Sequence, residues 1–347
     1  MYYNWKETTS NTELKVVCNL IKNGELVIFP TETVYGIGAN ALDGEAVGKI
    51  FLAKGRPSDN PLIVHVASQE TIHEIAEDIT EVEQKLIDSF MPGPFTLILK
   101  KKPNVLPEAV TAGLDTVAVR MPSHLIAKAI ITFSGVPIAA PSANVSGKPS
   151  GTNIEDIRRE LESKVSAIID GGESEIGLES TVVKVENEIP VILRPGKITP
   201  EQIKEVVGDV RIDSKVFEKV DENEEVESPG MKHRHYAPVT KCELIYAEDE
   251  KDQAFEVSKR VRKYKGDVVI IGFKEHKKEI VVSEGRFLDI ASKDNLDEYA
   301  KNIFSALRKA DEIGAQLIVI EGVKKEGLGI AIMNRLLRTC EYNYFEY

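Results

Sequence analysis

The chain has 347 residues, 42% of them hydrophobic, 29% charged and 6% aromatic, a globular composition at a length that suits about two domains. Its net charge of −12 excludes a protein that coats nucleic acid non-specifically, because phosphate contacts need clustered Lys and Arg. A local basic cleft remains open, and Lys49, Lys54 and Arg56 stand out against the acidic background. The three cysteines (Cys18, Cys242 and Cys340) lie far apart, with no CxxC and no metal-ligand spacing, which fits a reducing compartment. The start, MYYNWKETTS, carries no apolar h-region, and no apolar run approaches the roughly 18 residues that span a membrane. A cytoplasmic protein without a membrane partner is expected.

Ser10 and Glu13 offer a capping box, and Leu14, Val17, Leu20 and Ile21 recur at helical spacing until Gly24. Residues 25–29 read as a buried strand, followed by the loop TETVYGIG (31–38). A helix over 44–53 delivers KGRPSDNPL (54–62) at its end. Strands are expected at 61–66, 95–101, 116–120, 136–140, 166–170, 180–185 and 190–194. Helices are expected within 68–90 and at 123–133, 153–163 and 200–207. Strands and helices do not strictly alternate, so the pattern predicts an α/β fold with a sheet of mixed direction.

Composition shifts after about residue 210. DENEEVES (221–228) is acidic and poor in apolar residues, as a solvated linker is. PGMKHRHYAP (229–238) sets a cationic run and one tyrosine between two prolines. Beyond it, strands expected at 242–246, 267–271, 280–282 and 317–321 alternate with helices at 250–264, 294–313 and 330–340, which predicts a small parallel α/β domain.

Two short loops carry the chemistry. KGRPSDNPL sets Lys54 and Arg56 one residue apart where Gly and Pro forbid regular helix. PSANVSG (141–147) adds Ser142 and Asn144 beside Gly147. Two cations plus a hydroxyl and an amide make a cradle suited to a nucleoside triphosphate. Each loop also has a plain reading: basic residues favour a helix C-terminus, and Ser and Asn are ordinary turn formers. TETVYGIG can open a site at a strand's carboxyl end or simply connect two elements, and its glycines do not have Rossmann spacing. His65 in PLIVHV, Arg120 at the end of TVAVR, Ser180 and Arg194 are each unremarkable alone.

The ordered set is more specific. FPTETVYGIGANA, KGRPSDNPL, MPGPFT, TVAVRMP, PSANVSG, ESTVV, LRPG and SPGMKHRHYAP together resemble the YrdC-like threonylcarbamoyl-AMP synthases in their long two-domain form. The resemblance covers nearly the whole chain. It implies a YrdC-like catalytic domain (1–212) with a mixed twisted sheet and an open cleft, a linker and active-site flap (213–239) and a smaller Rossmann-like α/β domain (240–347). It also implies the reaction: L-threonine, bicarbonate or carbon dioxide, and ATP give threonylcarbamoyl-AMP and pyrophosphate. A downstream threonylcarbamoyl transferase then modifies adenosine in tRNA, and any direct tRNA contact is expected to be weak.

By motif position the resemblance assigns Thr33, His65, Arg120, Ala140 and Ser180 to L-threonine. It assigns Arg56, Asn60, Thr116, Ser142, Ser150, Arg194 and Tyr236 to ATP, with Lys54 and Asn144 in the same motifs. Lys54 and Arg56 would stabilise charge during catalysis, and Mg2+ would arrive with ATP without a dedicated protein site. His233 lies where other members can carry a Tyr, with little consequence expected. The alternative is an RNA-binding module of the same fold without adenylate-forming activity, which the acidic total and the lack of an aromatic RNA-binding motif disfavour. A carbamoyl-transfer maturation factor would need zinc modules that three cysteines cannot build.

Overall fold

The computed structural model describes residues 1–6, 9–219, 236–264, 266–281, 283 and 286–347. These form two compact units. The first comprises Met1–Ser146 and Ser150–Val216; the second comprises Gly147–Pro149, Phe217–Lys219 and the described residues from 236 to 347.

The first unit is built on strands β1 (Tyr2–Asn4), β2 (Val27–Phe29), β3 (Gly36–Asn40), β4 (Ile63–His65), β5 (Phe95–Lys100), β6 (Thr116–Arg120), β7 (Ile138–Ala139), β8 (Ala167–Asp170), β9 (Thr181–Glu186), β10 (Ile189–Arg194) and β11 (Arg211–Ile212). They form one sheet in the order β1-β8-β2-β3-β7-β4-β6-β5-β9-β10-β11. β4–β6 and β5–β9 pair parallel, whereas β3–β7, β4–β7, β5–β6 and β9–β10 pair antiparallel. The sheet is therefore mixed, as the sequence pattern predicts. Its helices are α1 (Asn11–Lys22), α2 (Gly44–Lys54), α3 (Gln69–Ile75), α4 (Glu81–Phe90), α5 (Glu108–Thr111), α6 (Leu125–Ser134), α7 (Ile154–Leu161) and α8 (Pro200–Val207).

Local chemistry explains where the elements begin and end. Ser10 Oγ accepts the Glu13 N–H at 3.1 Å at the head of α1. The reciprocal half of the expected capping box is not made, because the Glu13 carboxylate takes the Trp5 indole N–H at 2.8 Å. The stretch 68–90 holds two helices, and the second opens on a complete capping box between Thr80 and Glu83. TETVYGIG is not all loop: its last three residues begin β3.

Strand alternation sorts side chains between two faces of the sheet. Val64, Leu97, Val119, Val183 and Ile192 join the main core with Ile50 of α2, Leu86 of α4 and Ile203 of α8. The other face carries a smaller cluster of Ile63, Ile98, Ala118, Val182, Val191 and Leu193. This second face positions the candidate site.

The second unit holds β12 (Cys242–Tyr246), β13 (Val268–Phe273), β14 (Phe287–Ala291), β15 (Leu317–Glu321) and β16 (Tyr344–Glu346), with α9 (Glu250–Lys263), α10 (Leu296–Ile313) and α11 (Leu328–Thr339). The strand order is β14-β13-β15-β12-β16 and every pairing is parallel. The expected strand at 280–282 is not found at 280 and 281; residue 282 lies outside the described residues. Glu275–Lys278 form a 3-10 turn, and the Ile280 N–H continues it by bonding His276 O at 3.0 Å. The edge position goes to β14, whose FLDIA segment can ladder against Ile270 and Ile271. Of the expected flap at 229–238, only Tyr236, Ala237 and Pro238 are among the described residues.

Candidate active site

His65 and Arg120 are partners in the parallel register of β4 and β6. On the other flank of β6, Leu97 of β5 stands opposite Val119. One step further along the same register brings Thr96 opposite Arg120. Residues in register share a face, so His65, Arg120 and Thr96 form a polar row on the face of the smaller cluster. Ser180 enters beside them, immediately before Thr181 pairs with Phe95.

Arg120 organises this end. Its Nη1 donates to Thr33 Oγ1 at 2.9 Å and its Nε reaches Gly93 O at 3.4 Å. Its Nη2 lies 2.7 Å from Glu32 Oε1, with both side chains 5% exposed. That approach is an ion pair rather than a well-aligned hydrogen bond. Burial raises the Glu32 carboxyl, but the charge and hydrogen bonding of Arg120 together with the backbone N–H groups of Glu32 and Ser123 outweigh it and hold the group below the usual carboxylate range. Burial and the Arg120 charge together push His65 down to about 3, so its ring is neutral at neutral pH. The Ala140 N–H is spent on Ile63 O at 3.0 Å and is not available to a ligand.

Ser180 is buried between two partners. Its Oγ lies 2.7 Å from Thr96 Oγ1 and accepts from Arg194 Nη2 at 3.1 Å, while Arg194 Nε donates to Ser180 O at 3.1 Å. The Ser150 hydroxyl donates to the neighbouring Glu179 carboxylate.

The nucleotide-type motifs gather toward the amino ends of β4 and β6. Gly55 ends α2 in the left-handed conformation (φ 60°). The Gly55 N–H bonds Leu52 O at 3.3 Å and the Arg56 N–H bonds Phe51 O at 3.0 Å, a Schellman closure before Pro57. This closure separates the two cations. Lys54 turns inward and donates to Ser142 O, to Asn144 O at 2.6 Å and, more weakly, to Asn144 Oδ1 at 3.4 Å. Burial and the Arg56 charge pull its ammonium well below the ordinary lysine range. Ser142 Oγ donates to Asn144 Oδ1 at 2.6 Å, so PSANVSG is folded around the Lys54 head group. Arg56 instead reaches Pro61 O at 3.5 Å. Asn60 is 1% exposed, and among the described residues neither atom of its amide has a hydrogen-bond partner. A buried amide left this way is costly unless a ligand meets it. Thr116 opens β6, about 13 Å of strand from Arg120 on the same face. Lys49 does not join the other cations: its ammonium bonds Gly24 O at 2.8 Å and Glu25 at 3.2 Å.

Thr33, His65, Arg120 and Ser180 thus gather at one end of the face, and Arg194 adjoins Ser180. Lys54, Arg56, Asn60, Ser142, Asn144 and Thr116 lie toward the other. Tyr236 belongs to the second unit, where its ring stacks on Phe304 at 5.3 Å beneath the Arg335 guanidinium. Among the described residues, no group of three or more His, Cys, Asp or Glu could hold a metal ion.

Residues 19–196 match the Sua5, YciO and YrdC domain described as "Telomere recombination", and residues 198–340 match the one described as "Threonylcarbamoyl-AMP synthase, C-terminal domain". The chain belongs to the Sua5/YciO/YrdC family. It is 45% identical over 343 residues to a threonylcarbamoyl-AMP synthase of Pyrococcus abyssi, covering 98% of this chain and 97% of the relative. It is 42% identical over 334 residues to that of Bacillus subtilis, covering 96% and 94%. The solved structure of P. abyssi Sua5 complexed with L-threonine is similar over 100% of this chain and 99% of that one, with a TM-score of 0.92 and 43% identity.

Sequence reasoning missed Glu32, Thr31, Thr96 and Glu179 as members of the site. Glu32 and Glu179 each adjoin a residue that was singled out, and both are buried acids. Thr96 left one signal, a lone polar residue in the apolar run FTLIL. Its meaning depends on the β5–β6 register, which no local pattern encodes.

Proposed function

We propose that this chain is an L-threonylcarbamoyladenylate synthase, a nucleotidyltransferase that converts L-threonine, bicarbonate and ATP into threonylcarbamoyl-AMP and pyrophosphate. The observation that carries the reading is similarity over 98% of the chain to a curated threonylcarbamoyl-AMP synthase. The cluster of Arg120, Thr33, His65 and Ser180 supports it, because a guanidinium with an unaligned Nη2 suits a carboxylate and the hydroxyls suit an amino alcohol.

The threonine amine adds to the carbon of carbon dioxide released from bicarbonate; an N–C bond forms and one proton leaves. A carbamate oxygen attacks the α-phosphorus of ATP, and the bond to the bridging oxygen of pyrophosphate breaks. No protein nucleophile is needed, so the protein acts by proximity and charge stabilisation. Arg120 holds the carboxylate, and neutral His65 presents a polar edge without repelling Arg120. Arg56, Asn60, Thr116, Ser142, Asn144, Ser150 and Arg194 meet the nucleotide, which brings Mg2+ with it. Lys54 shapes the Ser142–Asn144 loop. The product is a mixed anhydride, labile in water, and passes to a transferase acting on tRNA. Three buried thiols are in keeping with a reducing, cytoplasmic setting.

The test is pyrophosphate release by the purified chain with ATP, Mg2+ and bicarbonate. Release should require L-threonine and yield a threonine-containing adenylate without RNA. ATP cleavage indifferent to threonine would overturn the reading.

A further inference from the structure

Counting protons on the hydroxyls of the site shows two of opposite polarity. Thr31 Oγ1 donates its single proton to Val34 O at 2.6 Å. In its 2.9 Å contact with Thr33 Oγ1, Thr33 must therefore be the donor. Thr33 Oγ1 also accepts from Arg120, so only a lone pair is left for a ligand. Thr33 is an acceptor.

Ser180 is the reverse. Its oxygen accepts from Arg194 Nη2, and it shares one hydrogen bond with Thr96. Thr96 is fully buried and, among the described residues, bonds no other side chain or carbonyl through its hydroxyl. Two protons share one internal bond, so one proton has no acceptor among the described residues. On Thr96 it would stay buried and unsatisfied; on Ser180 it can meet a ligand oxygen. The Arg194 guanidinium, by donating to Ser180 Oγ, also polarises the Ser180 O–H outward.

We propose that Thr96 is a positioning residue: its hydroxyl donates to Ser180 Oγ and fixes Ser180 as a hydrogen-bond donor to an anionic oxygen of threonine or its carbamate. The inference rests on the proposed function and names a residue that function does not use directly. Thr33 as acceptor and Ser180 as donor complement a substrate that carries N–H and O–H donors beside an oxyanion.

The test is a double-mutant cycle on the full chain, with L-threonine affinity measured by titration calorimetry. Thr96→Val keeps the shape and β-propensity but removes the hydroxyl. Thr96→Val and Ser180→Ala should each weaken binding about tenfold, the scale of one buried hydrogen bond. The double variant should bind within about twofold of Ser180→Ala alone, because Thr96 acts only through Ser180. Thr96→Ser should stay within about twofold of wild type. Should Thr96→Val not fold, Thr96→Ala completes the same cycle. Losses that multiply to about a hundredfold, or wild-type binding by Thr96→Val or by Ser180→Ala, would overturn the positioning role. A wild-type chain that neither binds threonine nor releases pyrophosphate would overturn the proposed function and the positioning role with it. A wild-type chain that does both with a multiplicative cycle would overturn the positioning role alone.

Discussion

His65 and Arg120 stand side by side on neighbouring parallel strands, and burial together with the guanidinium charge keeps the imidazole neutral. The pairing makes stability pH-dependent. A histidine pushed down to about 3 in the fold binds its proton more readily when unfolded. Its contribution is therefore complete above the unfolded value near 6.5 and is lost as pH falls from there toward 3. The slope is at most about 1.4 kcal/mol per pH unit. Burial also lowers His124, which adds in the same sense. His65→Gln should thus reduce the slope between pH 6.5 and 5 without abolishing it. Denaturant titrations at three pH values measure this; an unchanged slope would mean that His65 is hydrated in the fold.

The Glu32–Arg120 pair predicts an asymmetric response. Arg120→Ala leaves a buried carboxylate uncompensated and should cost about 3–5 kcal/mol of stability. Adding Glu32→Gln should recover much of that loss, while threonine binding stays abolished in both variants. The lowered Glu32 value gives stability that is present above about 4.3, the unfolded value, and lost as pH falls through the folded one. Glu32→Gln should therefore remove part of the acid sensitivity. Equal stability of the single and double variants would show that the carboxylate is not strained by losing its partner.

Lys54 and Arg56 should separate in their effects although one residue divides them. Lys54→Met strands the Ser142 and Asn144 oxygens and should lower stability by about 2 kcal/mol together with ATP affinity. Arg56→Ala should weaken ATP by about 2 kcal/mol with little change in stability. Thermal melts and calorimetric ATP titrations distinguish them. A Lys54→Met variant with wild-type stability and no ATP affinity would restore Lys54 as a direct phosphate contact.

Much of this was legible in sequence, for a physical reason. Apolar alternation and helix caps are local, so α8 falls at 200–207, β6 at 116–120 and β15 at 317–321 as the patterns predict. Short edge strands are not legible: β1, β11 and β16 have two or three residues each, and their pairing is decided by distant partners. The same limit applies to the site. KGRP and PSAN announce themselves by composition, but that Lys54 faces the Ser142–Asn144 loop follows from the Schellman turn at Gly55. Thr96 becomes a site residue only through cross-strand register, and Glu32, in the loop before β3, only through its ion pair with Arg120. Pro229 and the cations of 229–235 lie outside the described residues.

Gly196 predicts a coupling between two motifs that lie apart in sequence. It ends LRPG, and a Cβ there would stand 2.7 Å from Glu179 O and from the Ser180 carbonyl carbon, and closer still to Thr181 N. These are backbone atoms and cannot rotate away. Gly196→Ala must displace either the 179–181 segment or its own loop. The first would draw Ser180 from Thr96 and Arg194, because the hydrogen bonds of 2.7 and 3.1 Å tolerate little movement. Threonine and ATP affinities should then fall together, with about 1–3 kcal/mol of lost stability from overpacking. Ile203→Val on α8 is the control for destabilisation alone: it should cost about 1 kcal/mol and leave both affinities intact. If Gly196→Ala lowers the melting temperature but binds both ligands as wild type does, its own loop has yielded. LRPG would then have no part in holding Ser180.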